Sequence, residues 1–287
     1  MSVYTALVTP FKEDGEVDYE SFDYLVRFQI EKGIDGIVIF GTTGESPTLE
    51  DEEKFEILRK LKTILNDYPN FRDKIILGFG GNCTKTVLKD IAKYDEYGFN
   101  NYMLSAPYYN KPSQEGIYQH FTSIMSYFSN KNFMIYNIPS RTGVNMEPDT
   151  IKRICDKCSN YIGVKEASGS LEQAKQLIER GIPTFSGDDG LAYEMAKNGG
   201  VGVISVASNL FPDLVKKYLT IESDFLKDFY NLIFIETNPS PIKYLLKKNN
   251  IIKSDIVRLP LVKMSESGKG FLERNYNENL DWYQDDV

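Results

Sequence analysis

The alternation of short apolar runs with longer amphipathic stretches is the feature that most constrains the fold of this 287-residue chain. Apolar and β-branched runs recur at intervals of mostly about 25–40 residues, which is the spacing of β-α-β units. Eight strands, each followed by a helix, suffice to close a parallel sheet into a (β/α)8 TIM barrel, an α/β fold. The predicted strands are residues 4–8, 36–40, 75–79, 101–104, 133–136, 162–165, 184–186 and 202–206.

The segments between the predicted strands have the period of helices that bury one face. Phe22, Leu25 and Val26 share a face of the first such segment. Ser170 and Gln173 have the spacing of a capping box, which predicts a helix start just after the sixth strand.

Strand signals stop near residue 209, and the rest of the chain has helical patterns. We therefore predict a barrel that carries the active site at residues 1–220 and a small C-terminal helical extension at residues 221–287. The seventh strand is the weakest prediction because its run is short, so a doubly wound open sheet is the alternative. The predicted helices are residues 212–225, 226–237, 241–248 and the tail from residue 259.

Charge and hydropathy exclude several classes of function. The formal net charge of -8 argues against a nucleic-acid surface, which needs a basic face. No run approaches the ~18 apolar residues of a membrane span. The N-terminal residues lack a basic region followed by an apolar stretch, so we expect a cytoplasmic protein.

The chain has three cysteines and one histidine, which leaves little for metal chemistry. Cys155 and Cys158 form a C-x-x-C pair that could be a redox pair or half of a zinc site. A zinc site would need further ligands, for which Cys83 and His120 are the candidates. The pair has the spacing of a helix face, where buried thiols act as small hydrophobic groups. We expect no metal, and we expect His120 on a helix surface.

Lys165 ends an apolar run, which is an unusual place for a charge. An amine there must pair with a carboxylate, reach water or lose its proton. A desolvated lysine has a lowered pKa, and its neutral amine can form a Schiff base with a carbonyl compound. The alternative is a partly buried lysine paired with Glu166 or another acid. Tyr136 at the end of the preceding strand and the hydroxyls of Thr42 and Thr43 favour the Schiff base.

Other uncommon polar segments also follow predicted strands, where barrels place their functional groups. Each has a structural alternative. The Gly-Thr-Thr-Gly of residues 41–44 is also typical of a tight turn, and it matches no phosphate-binding motif. Tyr108 and Tyr109 could pack at an interface, and Arg141 could cap a helix or pair with surface carboxylates. The acidic pair at residues 188–189 could cap a helix N-terminus.

Six segments, in order along nearly the whole chain, resemble the dihydrodipicolinate synthase/N-acetylneuraminate lyase family. Within that family, the Tyr-Asn-Ile-Pro-Ser-Arg-Thr-Gly segment is similar to the synthase branch. The resemblance implies a pyruvate-dependent lyase on an eight-stranded barrel with a C-terminal helical extension, usually a homotetramer built from tight dimers. The six segments are residues 41–46, 107–112, 136–143, 164–169, 186–189 and 238–243.

The resemblance also implies roles for the reacting groups. Lys165 matches the Schiff-base lysine, and Tyr136 matches the proton donor and acceptor beside it. Thr42 and Tyr109 match the relay that passes protons between that phenol and solvent. In relatives, the second tyrosine of the relay reaches in from the neighbouring subunit.

The same resemblance implies the groups that hold the substrates. Thr43 and Ile204 match groups that hold the carboxylate and backbone of pyruvate. Arg141 matches the residue that receives the carboxylate of the second substrate, and Gly187 lines the same cleft. No cofactor is implied beyond the covalent Schiff base between Lys165 and pyruvate, and no metal.

The main functional hypothesis is condensation of pyruvate with L-aspartate 4-semialdehyde, a step of lysine and diaminopimelate biosynthesis. One alternative is an aldolase that cleaves N-acetylneuraminate or a 2-keto-3-deoxy sugar acid with the same Lys165 and Tyr136. Arg141 favours the synthase, because a sugar carries hydroxyls where the semialdehyde carries a carboxylate. A non-enzyme alternative is a catalytically silent family member that binds an oxo acid.

The sequence departs from the family pattern where feedback-inhibited relatives bind lysine. Thr86 replaces a common glutamate, although Asn82 and Tyr108 remain. We therefore expect weak inhibition by lysine.

Overall fold

The computed structural model describes residues 1–283 and contains eight parallel strands that close into a barrel. Each strand is hydrogen-bonded to its neighbours in sequence, and the first also pairs with the eighth. The strands are β1 Ser2–Ala6, β2 Gly36–Ile39, β3 Ile75–Phe79, β4 Asn101–Ser105, β5 Asn132–Asn137, β6 Tyr161–Glu166, β7 Thr184–Ser186 and β8 Gly202–Ser205.

Helices follow the strands and cover the outside of the barrel. Those of the described residues are α1 Tyr19–Glu31, α2 Asp51–Asp67, α3 Thr84–Tyr94, α4 Gln114–Tyr127, α5 Pro139–Thr142, α6 Pro148–Lys157, α7 Leu171–Glu179, α8 Ala192–Lys197, α9 Pro212–Tyr218, α10 Asp224–Leu232, α11 Ser240–Lys248 and α12 Glu266–Tyr283. The predicted (β/α)8 TIM barrel is therefore confirmed. The division at residue 220 stays a prediction.

The short β7 is a true barrel strand. Its Thr184 pairs with Val164 of β6, and its Phe185 pairs with Gly202 of β8. Since β8 also pairs with β1, the sheet has no open edge. The alternative of a doubly wound open sheet is wrong.

Helix α1 shows how the sequence pattern sets the local structure. Its N-cap residue Asp18 accepts hydrogen bonds from the backbone N–H groups of the first turn, which have no partner within the helix. The predicted apolar face of Phe22, Leu25 and Val26 is buried against the barrel. Burial of that face provides most of the stability of the helix.

The predicted capping box after β6 is half confirmed. The Ser170 hydroxyl accepts from the backbone N–H of Gln173, and α7 begins directly after Ser170 as expected. The Gln173 side chain does not return to the cap but contacts Asn145 and Glu166. It therefore links α7 to the carboxyl end of β6.

Some element boundaries differ from the predictions because side chains compete with regular pairing. Strand β1 ends at Ala6 rather than at residue 8, because the backbone N–H of Val8 donates to the Asn209 side chain. The predicted helix 212–225 is interrupted because Ser223 caps a separate helix, α10, by accepting from the N–H of Leu226.

The apolar core has two layers. A larger cluster lies between the barrel and its helices, and a smaller one fills the barrel interior. Tyr136 and Ile204 belong to the interior layer, so the packed core leads directly to the carboxyl ends of β5 and β8. The interior layer consists of Ala6, Val38, Ile76, Met103, Met134, Tyr136, Phe185 and Ile204.

The cysteine pair is buried, whereas the expectation for the histidine is wrong. Cys155 and Cys158 are free thiols within the apolar core, where burial raises the pKa of Cys155 to about 12. His120 is buried rather than on a surface, because α4 packs on α3. The Nδ1 atom of His120 lies 2.8 Å from the Thr84 hydroxyl oxygen. Burial lowers the pKa of His120 to about 4, so the ring is neutral.

The described part of the chain contains neither a helix suited to cross a membrane nor a candidate group of metal ligands. None of its helices has the length and hydropathy needed to cross a membrane. No three His, Cys, Asp or Glu side chains with a described position form a group that could hold a metal ion.

The closure of the barrel leads to a prediction about Gly202. A Cβ atom at this position would lie 2.0 Å from the carbonyl oxygen of Ser2, which is backbone of the paired β1. We expect Gly202→Ala to lower the free energy of unfolding by about 1–3 kcal/mol or more, because a strand must move to admit the methyl group. Urea unfolding measures this. The control is Gly270→Ala in α12, which should be neutral or stabilising because no atom lies closer than 3.7 Å. Unchanged stability in Gly202→Ala would contradict the described closure.

Candidate active site

Lys165 lies at the carboxyl end of β6 with its side chain directed into the barrel. The parallel register of β5 and β6 pairs Lys165 with Tyr136. The Lys165 Nζ lies 4.2 Å from the centroid of the Tyr136 ring, and both side chains are buried. The two residues that the sequence pattern placed on successive strand ends are therefore in contact.

The environment of Lys165 favours its neutral form. Burial lowers the pKa of its amine to about 8, the Asp189 carboxylate opposes this shift, and the positive charge of Arg141 adds to it. At pH 7 about one tenth of such an amine is neutral, against well under one thousandth for an ordinary lysine. The amine is therefore a competent nucleophile near neutral pH.

Pairing of Lys165 with Glu166 is not observed. The Glu166 carboxylate accepts from the backbone N–H of Ser168 at 2.7 Å, from Asn137 at 3.1 Å and from Gln173 at 3.0 Å. It lies on the opposite face of β6, among donors that satisfy it. Among the side chains that the structure describes, Lys165 has no ion-pair partner.

A second buried lysine shows that a lowered pKa alone does not make a nucleophile. Burial lowers the pKa of Lys243 to about 8 as well, although the Glu45 carboxylate opposes the shift. The Lys243 amine donates to Glu45 and to the carbonyl oxygen of Ile256, so its hydrogen-bonding positions face protein groups. The difference is that Lys243 is paired with Glu45, whereas the Lys165 amine has no hydrogen bond or ion pair with a described side chain.

Tyr136 is a phenol held in its protonated form. Burial raises its pKa to about 12, while a hydrogen bond with Thr42 and the charge of Arg141 oppose the rise. The phenol can thus donate a proton to a leaving group and take it back, and Thr42 is the neighbouring hydroxyl that could pass a proton to it.

The turn after β2 carries both predicted threonines and is held from two sides. The Thr9 hydroxyl donates to the carbonyl oxygen of Gly44 at 2.7 Å. The buried Glu45 has left-handed backbone geometry, with a φ of 51°, and its carboxylate accepts from Lys243 and from the backbone N–H of Arg258. The conformation of this turn is therefore fixed by groups that are distant in sequence.

Gly187 lies against the Lys165 side chain, and Ile204 belongs to the apolar layer inside the barrel. The N–H of Gly187 donates to the carbonyl oxygen of Glu166 at 2.8 Å, and Ile204 lies buried in the interior layer. A Cβ atom on Gly187 would lie 2.7 Å from the Ala167 Cβ and 3.0 Å from the Lys165 Cε. Glycine at this position leaves the space that the Lys165 chain occupies.

Arg141 lies at the rim of the site, in the short helix α5. Its side chain is exposed, and none of the carboxylates that the structure describes pairs with it. It neither caps a helix nor pairs with a surface acid, which were the structural alternatives. Its charge reaches both Lys165 and Tyr136, whose pKa values it lowers.

Tyr109 is the predicted site residue that remains outside this buried group. Its side chain is 86% exposed, and its backbone has a φ of 73°, which is uncommon for a residue other than glycine. The neighbouring Tyr108 is also 44% exposed. The loop is attached to the site through the backbone, where the Tyr109 N–H donates to the carbonyl oxygen of Thr142.

Asp189 is a site residue that the sequence reasoning missed. Asp188 caps a short turn by accepting from the N–H of Gly190, as the capping alternative expected. Asp189 is instead fully buried, where it accepts from the Ser205 hydroxyl and from the N–H of Val206 at 2.8 Å. Burial raises the pKa of Asp189 to about 6. Its signal was an acid directly after a buried strand.

Asn238 was also missed as a site residue, although its segment was recognised. Its side-chain amide donates to the Thr43 hydroxyl oxygen at 3.0 Å, and both side chains are buried. Nothing local in the sequence connects two residues that are 195 positions apart.

The fold and the site together define a class, the (β/α)8 barrels with a buried lysine at the carboxyl end of a strand. The chain belongs to the dihydrodipicolinate synthetase family, whose model matches residues 1–278. This is a family of pyruvate-dependent lyases.

Similar proteins cover nearly the whole chain. It is 40% identical over 287 residues to the 4-hydroxy-tetrahydrodipicolinate synthase of Porphyromonas gingivalis, covering 95% of both chains. A solved structure of the first monomeric dihydrodipicolinate synthase variant matches with a TM-score of 0.89, 35% identity and coverage of 97% of this chain and 96% of that one. The chloride-inhibited dihydrodipicolinate synthase of Acinetobacter baumannii complexed with pyruvate also matches with a TM-score of 0.89, at 32% identity, covering 97% of this chain and 98% of that one.

The lowered pKa of Lys165 predicts that this residue reduces stability. Between pH 8 and the usual lysine pKa, the unfolded chain binds one proton more than the folded chain, so this lysine makes stability rise with pH. At pH 7 the full cost is present. We therefore expect Lys165→Met to raise the free energy of unfolding at pH 7 by up to about 3 kcal/mol, with a smaller gain at pH 9.5.

Urea unfolding at the two pH values measures this gain. The control is Lys85→Met, which replaces an exposed lysine and should change stability little at either pH. A Lys165→Met protein that is less stable than the wild type at pH 7 would mean that the amine is not desolvated.

Proposed function

We propose that this protein is a Schiff-base lyase that condenses pyruvate with L-aspartate 4-semialdehyde to 4-hydroxy-tetrahydrodipicolinate. The observation that carries the proposal is the Lys165 amine, buried beside the Tyr136 phenol without a carboxylate partner in the described chain. The name of the relative that is 40% identical over 95% of both chains supports this reaction. So does the pyruvate complex of a solved relative.

The first step uses the neutral amine of Lys165. Its lone pair attacks the ketone carbon of pyruvate and forms a carbinolamine, and the ketone oxygen takes a proton. Loss of water then gives an iminium ion, for which the phenol of Tyr136 supplies the proton that leaves with the hydroxyl. The pKa of Tyr136, about 12, keeps that proton in place until it is needed.

The later steps use the electron-withdrawing iminium. A methyl proton leaves, and the resulting enamine carbon forms a bond to the aldehyde carbon of the second substrate, whose oxygen takes a proton. The amine of that substrate then attacks the iminium carbon, which closes the ring and releases the Lys165 amine. The hydrogen bond between Tyr136 and Thr42 lets one phenol serve the successive proton transfers.

We propose that Thr43 and Ile204 hold the pyruvate while these bonds form. Thr43 lies in a turn fixed by hydrogen bonds on both sides, and Ile204 lies next to the barrel axis. Donors fixed in advance orient a small acid without loss of side-chain freedom. The missing Cβ of Gly187 leaves room beside the reacting lysine.

We propose that Arg141 binds the carboxylate of the second substrate. Its guanidinium is exposed at the rim, has no partner among the described carboxylates, and lies close enough to influence both Lys165 and Tyr136. A planar guanidinium matches a carboxylate with two parallel hydrogen bonds. This feature, with the names of the relatives, favours the synthase over cleavage of a sugar acid.

We further propose that the protein uses no cofactor beyond the covalent Schiff base, and that it assembles as a homotetramer built from dimers. An exposed Tyr109 beside an exposed Tyr108 is suited to burial by a second subunit, where Tyr109 would complete the relay of the partner site. One solved relative is a monomeric variant, so assembly needs measurement for this chain. The cytoplasmic location stays a prediction.

Reductive trapping tests the Schiff base directly. Borohydride added in the presence of pyruvate should attach one reduced pyruvyl group to the peptide that contains Lys165, as measured by mass spectrometry. Trapping should become faster as pH rises through about 8, because the neutral amine becomes more abundant. Lys243 is a matched internal control because its pKa is similar but its amine is enclosed, so it should stay unlabelled. A folded wild-type protein without an adduct on Lys165 would support the silent alternative.

The second substrate is tested by turnover. Pyruvate with L-aspartate 4-semialdehyde should react faster than N-acetylneuraminate or a 2-keto-3-deoxy sugar acid is cleaved. Faster cleavage of either sugar acid would overturn the proposed substrate while leaving the trapping result intact.

Subunit mixing tests whether Tyr109 acts across an interface. Lys165→Met and Tyr109→Phe subunits should each be nearly inactive alone. After mixing and exchange, half of the dimers are hybrids with one complete site, so activity should recover to about a quarter of the wild-type value. Sedimentation velocity gives the assembly state of each sample. No recovery in mixtures that do form hybrids would place the action of Tyr109 within its own subunit.

A further inference from the structure

The C-terminal part of the chain reaches back to the turn that carries the predicted pyruvate-binding threonine. The Asn238 amide nitrogen donates to the Thr43 hydroxyl oxygen at 3.0 Å. Asn238 is 6% exposed and Thr43 is 4% exposed, so water has little access to the pair. Lys243 and the backbone of Arg258 hold the adjacent Glu45. The backbone of the turn and its hydroxyl thus have separate anchors.

The hydrogen bonding of Asn238 differs from that of buried asparagines that only hold the scaffold. The side chain of Asn209 accepts from the N–H of Val8 and donates to the carbonyl oxygens of Ala6 and Val206. Asn238 has one such bond in the described chain, and its Oδ1 is buried without a partner. Burial of an unpaired acceptor is costly, so scaffold support alone does not account for this amide.

The direction of the bond determines what Thr43 can do. A threonine hydroxyl has one hydrogen to donate and can accept as well. Because its oxygen accepts from Asn238, its hydrogen remains available, and no described group accepts it. If the amide instead accepted a hydrogen bond from Thr43, the hydroxyl would have no hydrogen left to donate to another group. The observed direction leaves a buried donor in the residue that follows Thr42, whose side chain interacts with the Tyr136 phenol.

We propose that Asn238 is a positioning residue that commits the Thr43 hydroxyl to donate to the carboxylate of the oxo acid. This inference rests on the proposed function, since the acceptor is the carboxylate of pyruvate. The amide, the hydroxyl and the carboxylate then form a chain of hydrogen bonds in one direction, in which each bond polarises the next. The C-terminal part of the chain thereby sets affinity for the first substrate, without touching the reacting atoms.

A double-mutant cycle tests the coupling between the two residues. Asn238→Asp keeps the shape but introduces oxygens that only accept, so the Thr43 hydrogen turns away from the substrate. We expect its KM for pyruvate to rise about tenfold or more, with kcat changed less than about threefold. Thr43→Val should raise KM similarly. The KM of the double variant should be no higher than that of the single variant with the larger effect, because both changes remove the same donor.

The result of the cycle and two further variants separate positioning from other causes. If the introduced charge simply repelled pyruvate, Asn238→Asp would raise KM further in the Thr43→Val background, and additive effects overturn the proposal. Asn238→Ala carries no charge and should still raise KM, which also covers a poorly folding Asn238→Asp. Asn249→Asp is the matched control, because the amide of Asn249 contacts Leu245 and Tyr276 instead, and its kinetics should be unchanged.

Trapping separates this inference from the proposed function. At saturating pyruvate, borohydride should still label Lys165 in the Asn238 variants, because the amine is untouched. A wild-type protein that traps pyruvate together with an unchanged KM in Asn238→Ala and Asn238→Asp overturns only the role of Asn238. Failure of the wild type to trap pyruvate overturns the proposed function itself.

Discussion

The burial of one amine at the end of β6 is the constraint on which the rest of the site depends. Water is excluded from Lys165, and the nearest charges act on it from Asp189 and Arg141. Burial disfavours the charged form of the amine, which lowers the stability of the folded protein at neutral pH. The same burial increases the fraction of neutral amine, which is the nucleophilic form. The barrel accepts this cost because the surrounding strand ends are fully paired and supply a rigid frame.

Parallel register converts the sequence order of the barrel into a site. Since β5 and β6 pair residue by residue, Tyr136 is placed beside Lys165 without any further device. The next residues along both strands, Asn137 and Glu166, point outward and bond to each other at 3.1 Å. One residue of each strand thus faces the chemistry while its neighbour locks the strands together.

The fold and the reacting pair could be predicted from sequence because both follow from local patterns. Short apolar and β-branched runs located the strands, helical periodicity located the helices, and Lys165 ended an apolar run where strand ends converge. Contacts between distant segments could not be predicted in this way. The burial of His120 depends on how α3 packs on α4, and the bond from Asn238 to Thr43 spans 195 positions. No short window of sequence contains either relationship.

The long-range anchoring of the turn after β2 has a consequence for biosynthesis of the chain itself. Glu45 leaves the ribosome early, whereas Lys243 and Arg258 are among the later residues to emerge. A nascent chain can therefore pair its eight strands while Thr43 still lacks the partners that fix it. The order of translation means that this turn cannot have all of its hydrogen-bonding partners before Arg258 has been synthesised.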